Sequence, residues 1–105
     1  MAQLSLNSVI DRAKITKYLL VPLPKDDKSQ FLSQAGYTLE NWQQLERDLR
    51  TQILPLEAEL IEDTRYGQKY IIRGSLTGTN GTTLRVKTVW MVTSSETRFI
   101  TLVPN

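Results

Sequence analysis

The sequence contains no cysteine and no histidine among its 105 residues. Without cysteine the chain has no disulfide, no thiolate nucleophile and no zinc-thiolate site. Without histidine it lacks the commonest acid/base group and metal ligand, which also rules out Ser-His-Asp and Cys-His catalysis. We therefore predict no cofactor and no metal site. Because the absence of cysteine is compatible with a reducing cytosol, we predict a cytoplasmic protein.

Long apolar runs and a targeting segment are missing as well. The longest apolar stretch, 18–23, is interrupted by Pro22, so we expect no membrane span. The first residues, 1–6, lack the basic region and apolar run of a signal peptide. The sequence has no internal repeat, and its length suits one core, so we predict a single domain over residues 1–105.

An excess of one charge is also absent. The chain has 13 basic and 11 acidic residues, which gives a net charge of +2. This balance argues against a dedicated nucleic-acid coat but permits a local basic patch. A hydrophobic content of 40% with 23% charged residues is typical of a globular domain.

The first half of the chain has helical patterns. Ser8-x-x-Asp11 matches a capping box and predicts a helix over Val9–Leu19, since Pro22 forbids continuation. Asp27-x-x-Gln30 predicts a second short helix, with Gly36 in the left-handed position after its end. Thr38 is the predicted cap of a third helix, which Pro55 ends. Its apolar stripe comprises Leu39, Trp42, Leu45, Leu49 and Ile53.

The second half predicts four strands in an antiparallel meander, separated by turns at Tyr66-Gly67, Asn80-Gly81 and Ser94-Ser95. We predict an α+β fold in which two to three N-terminal helices pack on one face of this sheet, with the strands in sequence order. The predicted strands are Leu56–Thr64, Gln68–Leu76, Leu84–Val92 and Thr97–Val103.

The pairing register follows from the apolar pattern. A three-residue loop with Gly81 in a left-handed bulge position gives one nearly apolar face, whereas a two-residue turn mixes cations into it. Across Ser94-Ser95 the same logic places Phe99 opposite Trp90, Thr101 opposite Thr88 and Val103 opposite Val86. The predicted inner face of the two middle strands comprises Tyr70, Ile72, Gly74, Leu76, Leu84, Val86, Thr88 and Trp90.

The opposite face collects the basic side chains of the sheet. One interpretation is solubility, with Glu59 and Asp63 pairing with Arg73 and Lys69 across the strands. The other is a binding surface for a protein partner or a nucleic-acid backbone. Self-association through the sheet edge or this face is a further hypothesis. The candidate binding residues are Lys69, Arg73, Arg85, Lys87, Arg98 and Tyr66.

Several stretches together resemble a bacterial domain-of-unknown-function family, namely "AKITKYLLVP", Lys28 before "SQFLSQAGY", "YGQKYIIRGSLTG", "RVKTVWMV" and "RFITLVP". The resemblance implies a domain found alone or at the C-terminal end of larger, toxin-like proteins, and it covers Ala13 to Pro104. The family's Asn-Pro-x-His-Pro-type loop reads "VPLPKDD" here, without the histidine. The matching polar positions are Lys14, Lys28, Tyr66, Lys69, Arg85, Thr88 and Arg98.

The layout of helices before a four-stranded sheet is similar, at the level of fold alone, to ribonuclease toxins of the barnase and colicin type. This similarity implies an alternative function, a metal-independent ribonuclease without histidine that would act as the toxin of a toxin–antitoxin pair. Such chemistry needs a base, an acid and positive charge near the phosphorus. We prefer a non-enzymatic interaction module, because no residue trio demands catalysis. The candidate catalytic residues of the alternative are Lys14, Lys69, Arg73, Arg85 and Arg98.

Overall fold

The sheet and the helices form two layers in the computed structural model, which describes residues 2–25 and 27–105. The four strands are antiparallel and lie in the order β1-β2-β3-β4, with the helices on one face. The predicted α+β class and strand order are therefore confirmed. No helix in the described ranges is long and apolar enough to cross a membrane. The strands are β1 Glu59–Thr64, β2 Gly67–Thr77, β3 Thr83–Val92 and β4 Thr97–Pro104.

The helices are short, and two of them end in a wider π-helical turn. In these turns the N–H of Leu20 donates to the carbonyl of Ile15, and that of Leu54 to the carbonyl of Leu49. The helical segments are α1 Arg12–Lys14 with the π turn Ile15–Leu19, α2 Ser29–Ser33, a 3₁₀ turn Leu39–Asn41, and α3 Trp42–Asp48 with the π turn Leu49–Ile53.

The first helix begins later than predicted. Asp11 is its N-cap and accepts a hydrogen bond from the N–H of Ala13. The proposed capping box from Ser8 is wrong, because the Ser8 hydroxyl donates to the Ser5 carbonyl instead. Val9 is not helical but forms a parallel bridge with Arg98 on β4. Tertiary pairing at the sheet edge thus outweighs the local helix signal.

The starts of the other two helices lie close to the predicted ones, although the N-cap of α2 is Lys28 rather than Asp27. Asp27 accepts hydrogen bonds from the hydroxyl and the backbone N–H of Ser29, and these bonds lower the pKa of the Asp27 carboxyl. Thr38 and Asn41 form a reciprocal capping box before α3. Gly36 adopts a φ of 89°, as expected for a left-handed position after α2.

The core lies between α3 and the inner face of the sheet. Tyr70 pairs with Trp90 and Leu76 with Leu84, which confirms the predicted β2–β3 register. The Trp90 and Phe99 rings meet edge to face with centroids 5.2 Å apart. The fully buried core side chains of these elements include Leu45, Leu49, Ile53, Ile72, Leu76, Val86, Trp90, Phe99 and Leu102.

The β3–β4 register departs from the prediction after its first pairs. Phe99 lies opposite Trp90 as predicted, but a β-bulge follows and Thr101 then lies opposite Val89. The extra residue brings Leu102, rather than Thr101 or Val103, into the core. The predicted inward placement of Thr101 and Val103 is wrong. The bulge does not reduce the buried apolar area of the core, because Leu102 takes the place predicted for Val103 and both side chains are apolar.

The two edges of the sheet differ. Val9 pairs with the first residues of β4. Its N–H donates to the Thr97 carbonyl at 2.7 Å, and its carbonyl accepts from the Phe99 N–H at 2.8 Å. On the other edge, the bridge between Ala2 and Ala58 precedes β1. Within the described ranges β1 itself has no neighbour on its outer side. The side chains of this open edge include Leu60 and Ile61, each 47% exposed.

The loop between β2 and β3 closes against the end of α2. The N–H of Gly78 donates to the Thr82 carbonyl at 2.9 Å, and Gly81 has a φ of 87°, as the three-residue loop predicts. The Thr79 hydroxyl donates to the Gly36 carbonyl and thus satisfies a helix-end acceptor. This contact brings Gly78 so close to Ala35 that an added Cβ would lie 2.0 Å from the Ala35 carbonyl oxygen.

Gly78→Ala is therefore expected to lower the free energy of unfolding by about 2 kcal/mol, because backbone must move to admit the methyl group. The matched control is Gly81→Asn in the same loop, where an added Cβ meets nothing within 4 Å. Asparagine tolerates the left-handed conformation, so its cost should stay below about 1 kcal/mol. Urea unfolding of both variants measures the difference. Equal stability of the two variants would contradict the close approach.

Candidate interaction surface

The face of the sheet turned away from the helices, called the outer face below, carries its residues in rows across the strands. In β2 and β3, Lys69 lies opposite Met91, Ile71 opposite Val89, Arg73 opposite Lys87 and Ser75 opposite Arg85. On β4, Arg98 continues the first of these rows and Val103 lies beside Lys87. Five predicted basic residues therefore share this face.

Two of these cations are neutralised by acids of β1. The Arg73 guanidinium lies 3.0 Å from the Glu59 carboxylate, as predicted. Lys69 pairs with Glu62 at 3.5 Å rather than with Asp63. The difference arises because a two-residue turn places Thr64 opposite Gly67, so that Glu62 lies opposite Lys69 and Asp63 lies opposite Gln68. Such exposed pairs contribute little stability, but they cancel charge locally.

Arg98, at the start of β4, is also neutralised by acidic side chains. Its guanidinium lies 2.8 Å from the Glu96 carboxylate and 3.6 Å from that of Asp11. Asp11 is also the cap of α1, so this pair joins the start of the helix to the sheet edge. Arg98 thus has a structural role that explains its presence without a ligand.

Arg85 and Lys87, called the basic pair below, differ from the others. Among the described residues neither has a carboxylate within 4.0 Å. Arg73 lies directly opposite Lys87 on the neighbouring strand, and like charges in directly opposite positions repel each other. The first half of β3 therefore carries two positive charges that no carboxylate of the described residues balances.

The apolar residues of the outer face lie beside the basic pair. Val89 and Met91 are half-buried, while Ile71 is only 4% exposed. Ile71 and Arg73 line an open depression of about 370 Å³ with Leu56, Glu57 and Glu59. The surface is therefore a shallow, partly apolar sheet face with an acidic rim along β1.

Tyr66 lies far from the basic pair. It occupies the turn between β1 and β2, is 75% exposed, and stacks with the Arg65 guanidinium at 5.3 Å. Strand rise places Gly67 roughly 27 Å from Ser75, the residue opposite Arg85. The structure does not bring Tyr66 and the basic pair into one site.

The five candidate catalytic residues are also spread out. Arg98 lies opposite Met91, which is six positions after Arg85 along β3, a distance of roughly 20 Å. Lys14 is on α1, where its ammonium lies 5.5 Å from the centroid of the Tyr18 ring. Lys69 and Arg73 are held by β1 carboxylates. The five side chains do not meet in one cleft.

Two polar contacts in the helical layer were not predicted from the sequence, although Lys28 is among the positions that match the family. The buried Tyr37 hydroxyl donates to Asp48, and both burial and this carboxylate raise the pKa of the Tyr37 phenol. Lys28 is only 9% exposed and donates to the Tyr18 hydroxyl at 2.9 Å. The 3₁₀ turn and α3 connect Tyr37 to Asp48, and an irregular loop connects Tyr18 to Lys28, so no single spacing marks both pairs. Across the described ranges no three acidic side chains cluster as metal ligands.

The two layers and this mixed-charge sheet face define a small α+β protein with a four-stranded meander. The chain belongs to the family described as a domain of unknown function (DUF6883), whose model matches residues 5–105. The predicted membership of such a family is thus confirmed. No curated protein and no solved structure gives a significant match.

Proposed function

We propose that the protein is a non-enzymatic interaction module whose outer face binds an acidic segment of a protein partner. The observation that carries this proposal is the basic pair, two neighbouring cations without a carboxylate in the described chain. The other outer-face cations each have an acid partner. An acidic segment would supply the missing counter-charge at Arg85 and Lys87.

The surroundings of the basic pair favour a protein over a nucleic acid. Glu59 and Glu62 lie along β1, so an extended phosphate backbone crossing the sheet would meet negative charge. Among the described residues, strands β1–β4 present no aromatic side chain on the outer face on which bases could stack. Val89 and Met91 instead offer apolar area of the kind that protein interfaces bury.

The spacing of the candidate catalytic residues favours binding over the ribonuclease alternative. Catalysis needs an acid, a base and a cation within reach of one phosphorus atom. Arg85 lies near the start of β3, whereas Arg98 on β4 lies opposite Met91 near the end of β3. Lys14 belongs to the helical layer. A cytoplasmic location and the single-domain extent of 1–105 stay predictions.

The experiment is a fluorescence-anisotropy titration with a labelled polyglutamate peptide and, in parallel, a labelled single-stranded RNA. We expect the peptide to bind the wild type, with an affinity that falls as salt rises. The Arg85→Ala, Lys87→Ala double variant should bind at least tenfold more weakly, a loss of about 1.4 kcal/mol. The matched control is Lys17→Ala with Lys25→Ala, two exposed lysines elsewhere.

Three outcomes would contradict this function. Unchanged peptide affinity in the double variant would remove the basic pair from binding. Tighter binding of RNA than of the peptide, lost in the same variant, would favour a nucleic-acid partner. Cleavage of the RNA by metal-free protein, lost in Lys14→Ala, would favour the ribonuclease.

A further inference from the structure

A second group of cations surrounds one tyrosine in the helical layer. The Lys28 ammonium donates to the Tyr18 hydroxyl at 2.9 Å and lies 5.0 Å from the centroid of the same ring. The Lys14 ammonium lies 5.5 Å from that centroid. The Tyr18 and Thr101 hydroxyl oxygens are 3.3 Å apart. Two ammonium groups and the Thr101 hydroxyl thus lie around the Tyr18 side chain.

Local structure does not account for a lysine at position 28. It is the N-cap residue of α2, but the capping bond comes from Asp27. A cation at a helix start is opposed by the partial positive charge of the backbone N–H groups. Lysine also loses more side-chain entropy on burial than most residues. The position therefore requires a reason outside the helix.

The buried ammonium is poorly compensated by the residues that the structure describes. Neither Lys28 nor Lys14 has a carboxylate within 4.0 Å among them. Among the described residues, the Lys28 ammonium forms one hydrogen bond for its three N–H donors, and the acceptor is the Tyr18 hydroxyl. Burying a cation costs free energy unless an anion and further hydrogen bonds compensate.

We propose that Lys14, Tyr18, Lys28 and Thr101 form a binding site for a phosphoryl dianion, as free phosphate or as a phosphate monoester. Two ammonium charges balance a dianion, whereas a carboxylate or a phosphodiester would leave one charge unbalanced. The tetrahedral oxygens accept several donors at once, which suits two ammonium groups beside hydroxyls. Thr101 lies opposite Val89 on the outer face, but the site includes neither Arg85 nor Lys87 and does not depend on the function proposed for that pair.

Calorimetric titration at constant ionic strength tests the site with inorganic phosphate, phosphoserine and a dinucleotide that has a single phosphodiester. Phosphate or phosphoserine should bind, and the dinucleotide at least tenfold more weakly. Lys28→Met keeps an unbranched apolar stem but removes the ammonium, and it should weaken phosphate binding at least tenfold. Lys14→Met should weaken it as well, and its more exposed position provides a second variant if Lys28→Met does not fold.

Lys17→Met is the matched control, because it removes the same charge from an exposed position of the same helix. It should bind phosphate as the wild type does. Binding of phosphate alone identifies the free anion as the ligand, and tighter binding of phosphoserine identifies a monoester. The proposal is overturned if the wild type binds neither, if the dinucleotide binds equally well, or if the folded Lys28 or Lys14 variant keeps full affinity.

Discussion

Tyr37→Phe is expected to lower the free energy of unfolding by about 3 kcal/mol at neutral pH, although it removes a single oxygen atom. The Tyr37 hydroxyl donates to a buried Asp48 carboxylate at 2.5 Å. Without it, Gln44 is the remaining side chain that donates to Asp48, at 2.8 Å. A carboxylate that is 7% exposed would then lack one of its two donors. Chemical denaturation of the variant and the wild type measures the loss.

The same residue predicts how stability depends on alkaline pH. Burial and then Asp48 raise the pKa of Tyr37 above its ordinary value of 10.0. The folded protein therefore keeps the phenol proton where the unfolded chain loses it. The stabilisation is complete below pH 10 and declines as the pH rises further, by up to about 1.4 kcal/mol per pH unit. Tyr37→Phe should remove this part of the decline.

Two variants separate this prediction from a general effect of losing a hydroxyl. Tyr66→Phe changes an exposed phenol and should leave stability unchanged within about 0.5 kcal/mol. Tyr37→Phe with Asp48→Leu removes both partners, so it should recover much of the loss. If the double variant is as unstable as Tyr37→Phe, packing rather than the unpaired carboxylate causes the effect.

Thr88→Val is expected to cost about 2 kcal/mol although it preserves shape and increases hydrophobicity. The buried Thr88 hydroxyl accepts from the Trp90 indole N–H at 2.8 Å and donates to the Ile72 carbonyl at 3.1 Å. Valine would leave the indole N–H without an acceptor in the core. Urea unfolding measures the loss, and proton exchange of the indole N–H gives a second readout.

A double-mutant cycle with Trp90→Phe isolates the hydrogen bond of Thr88 from its packing. Phenylalanine has no indole N–H, so Thr88→Val should cost clearly less in that background. Equal costs in both backgrounds would show that the indole bond contributes nothing measurable.

The fold class and strand order could be predicted from the sequence, because its strongest signals agreed with one another. The register of β2 and β3 follows from apolar alternation and from Gly81, and both hold in the structure. The β4 bulge could not be predicted, because Leu102 and Val103 are equally apolar and only three-dimensional packing distinguishes them. The predicted start of α1 was wrong for a related reason, since Val9 pairs with a strand that lies far along the chain.

The candidate sites were predictable only in part. Alternation placed the basic residues on one face, but it did not reveal that Glu62 and Glu96 neutralise some of them. The isolation of the basic pair depends on which carboxylates the turns bring near. The contact between Tyr18 and Lys28 depends on the path of the loop through Pro22, for which no pattern exists.

The unequal edges of the sheet limit how copies of this chain can assemble. Val9 occupies the outer backbone groups of Thr97 and Phe99 at the start of β4, whereas among the described residues β1 has no strand on its outer side. Strand addition is therefore expected at β1 rather than at the start of β4. Pairing of two β1 edges would use this edge in both molecules and would give a closed dimer.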